Sequence, residues 1–234
     1  MPGYANSYSM EQMIVNESGD LNSTEQQHPP VLRWVATFFS YLFHPLLIIL
    51  WVTLYLLYRN NLVFIGDTDF DKVVVFLRVF STAFFLPVVT VLLLKALGFI
   101  DSIQLHTQKD RIIPYVACIT FFFWSFYVSK RLGDPTELTA FLISIFIAAS
   151  ASLLINNYLK VSMHAIGVGG LVTFFTLLLF AKRLDDVLSL LLVFLIAGVT
   201  ITSRFIVSDH KPPEIVVGFI TGVLIQLICW FIIK

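Results

Sequence analysis

Seven stretches of this chain are apolar almost without interruption: near 33–58, 73–99, 112–130, 137–156, 164–182, 185–203 and 214–233. A helix needs about 20 apolar residues to cross hydrocarbon. The runs are continuous and do not alternate, so each reads as a helix and not as a barrel strand. The pattern predicts an all-α fold, a polytopic transmembrane helix bundle of about seven spans. Composition agrees. Hydrophobic residues make up 58% and charged residues 13%, against roughly 45–50% and about 25% in soluble domains. A water-soluble domain of 234 residues has too little interior to hide 23 phenylalanines. Disordered chains are poor in such residues, so disorder is excluded.

The chain divides into a polar tail over 1–30 and one transmembrane domain over 31–234. The tail carries Glu11, Glu17, Asp20 and Glu25 but no Lys or Arg and no long apolar run, so it does not read as a cleavable signal peptide. Two triplets, from Asn16 and from Asn22, fit the glycosylation pattern. Pro45 and Pro87 lie inside the first two runs and are expected to bend them. Arg78 and Lys95, near the ends of the second run, are expected to extend their head groups to an interface. Cys118 and Cys229 match no metal or redox spacing and read as small core residues. Lys+Arg and Asp+Glu are balanced at 15 each, so no global field draws in nucleic acid.

Seven crossings sort the connections onto two faces. The face of the N-terminal tail receives loops 100–111, 157–163 and 204–213. The other receives loops 59–72, 131–136 and 183–184 with the C-terminus. Arg59, Lys72, Lys130, Arg131, Lys182, Arg183 and Lys234 lie on or beside that second face. If the cations of the first face are retained for chemistry, Lys/Arg bias makes the second face cytoplasmic. The first face then looks outward from a plasma or inner membrane.

The three loops of the first face collect an unusual set of side chains: Lys109 and Arg111 in the first; Lys160, Ser162 and His164 in the second; Ser203, Arg204, His210 and Glu214 in the third. Guanidinium and ammonium groups beside helix N-termini suit a multiply charged anion, above all phosphate. Ser162 stands where a helix N-cap would stand. Two imidazoles in one anion site permit divided labour, one attacking or taking a proton and the other protonating the leaving group. Glu214 follows His210 by four residues, so on a helical turn the two share a face and the carboxylate sets the imidazole tautomer. Gly167, Gly169 and Gly170, and the pair Gly218 and Gly222, read as close helix packing. His44 reads as satisfied within the bundle, and His28 and His106 as solvated.

The third loop, Ser203-Arg204, five residues, His210, three residues and an acid, resembles the signature of the type 2 phosphatidic acid phosphatase superfamily, membrane lipid phosphatases related in fold to vanadium haloperoxidases. The order of the other loops is similar to that family's, with differences. Gln104 stands seven before Arg111, where the family has Lys, and Pro114 follows Arg111 by three. Val161-Ser162-Met163-His164 replaces Pro-Ser-Gly-His, and Glu214 replaces Asp. The resemblance implies a six-helix phosphatase-like core, no metal and no other cofactor. It implies His210 as the nucleophile of a phospho-histidine intermediate, Glu214 as its orienting acid and His164 as the general acid. Arg204, Arg111, Lys109, Lys160, Ser162 and Ser203 would hold phosphate. The expected activity is hydrolysis of a lipid phosphate or pyrophosphate in the bilayer. A non-catalytic lipid-phosphate binder or transporter is the alternative, and a bundle that only scaffolds partners is a third.

Overall fold

The computed structural model describes residues 14–15, 21–22, 29–100, 102, 108–207 and 210–233. The chain is an all-α membrane protein. Among the described residues, six helical spans are long and apolar enough to cross a membrane, and a bent helix pair makes up to seven. In the tail, Ile14–Val15 pairs antiparallel with Leu21–Asn22. The rest of the tail, most of both glycosylation triplets, His28, Gln104 and His106 lie outside the described residues.

The first run is two helices, α1 (Pro30–Leu42) and α2 (Pro45–Leu54), the latter continued by a wide π turn over Tyr55–Arg59. Pro45 cannot donate to a preceding turn, and the pair is bent by 56° there. The His44 imidazole closes the break by accepting from the Leu46 backbone N–H at 3.3 Å. The second run holds α3 (Asp69–Val79) and α4 (Leu86–Ala96), joined through a π turn over Phe80–Phe85 that precedes Pro87. It starts four residues before the apolar run because Thr68 and Asp71 form a reciprocal capping box. Then follow α5 (Ile112–Leu132), α6 (Thr136–Ile155), α7 (Met163–Phe180), α8 (Val187–Val207) and α9 (Pro212–Ile233). Gly133 ends α5 at φ 77°, a left-handed conformation that glycine adopts without a Cβ penalty.

α7 is the most buried span. α2 runs beside it in the same direction. His44 meets His164 at one end, Tyr55 meets Phe175 midway, and Asn60 Nδ2 donates to the Arg183 carbonyl at 2.7 Å at the other. α9 packs on α7 through glycines. A Cβ on Gly222 would strike the Ile166 carbonyl oxygen, and one on Gly169 the Phe219 carbonyl oxygen. The packing reading of these glycines therefore holds. Gly222→Val is expected to cost about 1–3 kcal/mol of stability through overpacking. Gly198→Ala, at a glycine with nothing within 4 Å of the added carbon, should leave stability equal or slightly higher. Thermal unfolding in detergent reads both.

The end remote from the three loops is held by ion pairs. Arg78 reaches the loop between α5 and α6, where it pairs with Asp134, whose carboxylate also accepts from Ser129 Oγ at 2.6 Å. Arg183 donates to Glu137 at 3.0 Å and to the Leu62 carbonyl at 2.8 Å. A guanidinium only 16% exposed needs a carboxylate partner more than it gains from a partial reach toward water.

Candidate active site

The three loops are tied to one another before any side-chain chemistry is considered. Gln108 and Asn156 exchange reciprocal bonds, each side-chain amide donating to the other's backbone carbonyl at 2.7 and 2.9 Å. Arg111, at the start of α5, donates to the Val161 carbonyl at 3.2 Å. The Ser162 N–H donates to the Glu214 carbonyl at 3.2 Å. These bonds bring segments about fifty residues apart to the N-termini of α5, α7 and α9, where the helix dipoles favour an anion.

Beneath the loops lies a cavity of about 920 Å³. Its polar end carries Arg111, Lys160, His164, Arg204 and His210, all predicted for the site. Its body is apolar, lined by Val88, Phe122, Ile145 and Ile225 among others. The three remaining substrate-binding candidates stand elsewhere. Lys109 is exposed and does not line the cavity. Ser162 is the N-cap of α7, as expected, but its hydroxyl makes no capping bond; it is fully buried where α7 and α9 meet, its carbonyl oxygen close against Gly218. Ser203 turns its hydroxyl back to the Val199 carbonyl of its own helix at 2.8 Å.

His210 sits in the turn between α8 and α9, its side chain 5% exposed. Its Nδ1 lies 2.8 Å from Glu214 Oε2. A carboxylate only accepts, so Nδ1 carries the proton and Nε2 keeps its lone pair. The Lys211 N–H donates to the same oxygen at 3.2 Å, which holds the carboxylate still. Burial lowers the His210 pKa below the ordinary imidazole range, the bond to Glu214 raises it, and the positive charges of Arg111 and Arg204 lower it again; the net shift is downward. His210 is therefore neutral at pH 7 and able to act as a nucleophile.

His164, in the first turn of α7, places Nε2 at 3.0 Å from the Ser40 carbonyl oxygen and 3.4 Å from its hydroxyl. A carbonyl only accepts, so Nε2 carries the proton in this arrangement and Nδ1 is the atom left to exchange one. Arg204 NH1 donates to Ser40 Oγ at 2.8 Å. Ser40 thus joins His164 of the second loop to Arg204 of the third.

Two contributors were not anticipated. Ser40 is one. His44 is the other: it is satisfied within the bundle as the sequence predicts, its Nδ1 accepting from the Leu46 N–H, but it also lines the cavity with its ring edge-on to His164, centroids 5.2 Å apart. The available signal was the spacing Arg33, Thr37, Ser40, His44, a polar helical stripe inside an apolar run. Among the described residues, no cluster of three His, Cys, Asp or Glu side chains is placed to hold a metal ion. No protein-family model matches the chain, and no curated protein or solved structure is significantly similar to it.

Proposed function

We propose that this membrane protein is a lipid phosphatase that hydrolyses a lipid phosphate or pyrophosphate through a phospho-histidine at His210. The observation that carries the reading is the His210–Glu214 pair, 2.8 Å apart, opening on a cavity whose polar end also holds Arg111, Lys160, Arg204 and His164. In this reading His210 Nε2 attacks phosphorus in line while the cations hold the equatorial oxygens. His164, entering as the imidazolium with its second proton on Nδ1, gives that proton to the departing oxygen. Water, deprotonated by His164, then cleaves the P–N bond and releases inorganic phosphate. The apolar body of the cavity receives hydrocarbon. The resemblance to type 2 phosphatidic acid phosphatases supports the assignment, and the basic-residue bias favours a site on the non-cytoplasmic face.

Phosphate release from a panel of lipid mono- and diphosphates in detergent tests it: wild type releases phosphate from at least one. Binding of the same lipids without release would favour a lipid-phosphate binder or transporter instead. The bond from His164 Nε2 to the Ser40 carbonyl, which occupies one proton of the expected acid, is the observation on that side.

The pH dependence has a sign. Attack needs neutral His210, so rate falls as pH drops through its pKa, and the acid limb of kcat/KM is expected below about pH 6.5. Glu214→Gln removes the interaction that raises this pKa while leaving those that lower it. The limb should therefore move to still lower pH, with a slower maximal rate because the tautomer is no longer enforced. A pH–rate profile of both proteins checks this; a limb that moves upward would contradict the pairing.

A further inference from the structure

The cavity does not end in hydrocarbon. Its walls are apolar, but its lining also includes Ser144 of α6 and Gln226 of α9, both buried, Gln226 at 1% exposure. Gln226 follows Glu214 by twelve residues on one helix. At about 1.5 Å of rise per residue it lies roughly 18 Å below the His210–Glu214 pair. Ser144 and Gln226 are therefore remote from every group that the phosphoryl chemistry uses.

The two side chains do not satisfy each other. The Ser144 hydroxyl stands 2.7 Å from the Phe141 carbonyl oxygen and 2.5 Å from Gln226 Oε1. Both oxygens accept, and a hydroxyl has one proton to give. Gln226 Nε2 carries two N–H groups and has no hydrogen-bond partner among the described residues. Turning the amide over leaves a shortfall of the other kind: Nε2 then donates to Ser144 Oγ, and Oε1 is left without a donor. The lining side chains nearest in sequence, Phe141, Ile145 and Ile225, are apolar. A pair that only joined α6 to α9 would need one donor and one acceptor; this one keeps hydrogen-bonding capacity unused in an apolar site, where that is costly.

We infer that Ser144 and Gln226 form a binding site at the deep end of the cavity for a hydroxyl carried on the ligand's hydrocarbon chain. This rests on the phosphatase reading above and adds a demand on the tail that the phosphoryl chemistry does not set. A hydroxyl both donates and accepts, so it answers the amide in either orientation, accepting from Nε2 or donating to Oε1. An extended chain advances about 1.2 Å per bond. The distance from the His210–Glu214 pair to Gln226 then corresponds to about 14–15 bonds between phosphorus and the hydroxyl oxygen. A chain of about twelve carbons hydroxylated at its far end meets that length.

The test uses the full chain in detergent and three substrates: dodecyl phosphate, the same chain with a terminal hydroxyl, and the same chain with its hydroxyl at mid-length. In wild type the terminal hydroxyl should raise kcat/KM about three- to tenfold over the plain chain, the range of one hydrogen bond. The mid-length hydroxyl, set against the apolar wall, should lower it. Gln226→Leu should abolish the preference for the terminal hydroxyl and leave turnover of dodecyl phosphate equal or higher. It should also melt at an equal or higher temperature, whereas a glutamine that merely joined α6 to α9 would lose stability on removal and change no preference. Gln226→Met, close in volume, keeps the test alive if the leucine variant does not fold. Equal rates on the plain and terminally hydroxylated chains in wild type, or a preference that survives in the variants, overturns the inference. If none of the three is hydrolysed, the phosphatase reading fails by itself. The site is then read by binding of the same three compounds: tighter binding of the terminally hydroxylated chain that Gln226→Leu abolishes supports it, and equal or absent binding overturns it.

Discussion

Replacing His210 with alanine is expected to lower phosphate release by about a thousandfold or more, the scale on which loss of a nucleophile acts. Substrate binding should change far less, because Arg111, Lys160 and Arg204 remain on the cavity. The reason is local. His210 is the imidazole whose Nδ1 proton is fixed by a carboxylate at 2.8 Å, and burial with two guanidinium neighbours keeps it neutral. The variant leaves a carboxylate without its partner at the start of α9, so a modest loss of thermal stability should accompany the loss of rate. Lipid-phosphate affinity measured beside turnover separates the two effects.

The second large effect is expected at His164, and it depends on the substrate. On an alkyl lipid phosphate, whose alkoxide is a poor leaving group, His164→Ala should lower kcat about 10²–10⁴-fold, the usual worth of a positioned general acid. On an aryl phosphate, whose phenoxide departs without a proton, the loss in phospho-enzyme formation should be much smaller. A residue that merely braces Ser40 and Arg204 would lose rate equally on both. Comparing the variant-to-wild-type ratio across the two substrates therefore decides between a chemical and a structural role. Equal losses would reassign His164.

Much of this architecture was legible because hydrocarbon is an undemanding solvent to read. Long uninterrupted apolar runs have one stable form in it, and the runs from 112 onward became α5 to α9 within a few residues of their predicted limits. The third loop was legible because its key pair is local: His210 and Glu214 are four residues apart and need only one helical turn to meet. That Arg111, Lys160 and Arg204 lie on one face followed from the parity of crossings; that they line one cavity did not.

What was missed depends on contacts of long sequence separation. Ser40 meets His164 across 124 residues and Arg204 across 164, and the polar stripe that holds Ser40 names neither partner. The first apolar run concealed a change of direction. Read as one straight span, it puts Ser40 and His44 in mid-membrane; bent by 56° at Pro45, it brings them to the N-terminus of α7. Proline marked the bend without giving its direction. Ser162 and Ser203 failed to reach the cavity for a different reason. Each lies beside the right loop, but the close approach of α9 at Gly218 covers the first, and the second bonds to its own helix as mid-helix serines commonly do. The partner of Arg78 was not legible either, because Asp134 lies in a loop 56 residues away.

Covalent capture of the phosphoryl group tests the central claim most directly. The protein is quenched during turnover of a ³²P-labelled lipid phosphate, kept at alkaline pH where phospho-histidine survives, digested and mapped by mass spectrometry. The account predicts label on His210, absent from His210→Ala and accumulating in His164→Ala as hydrolysis of the intermediate slows. Steady turnover with no label on His210, or label on another residue, would contradict it.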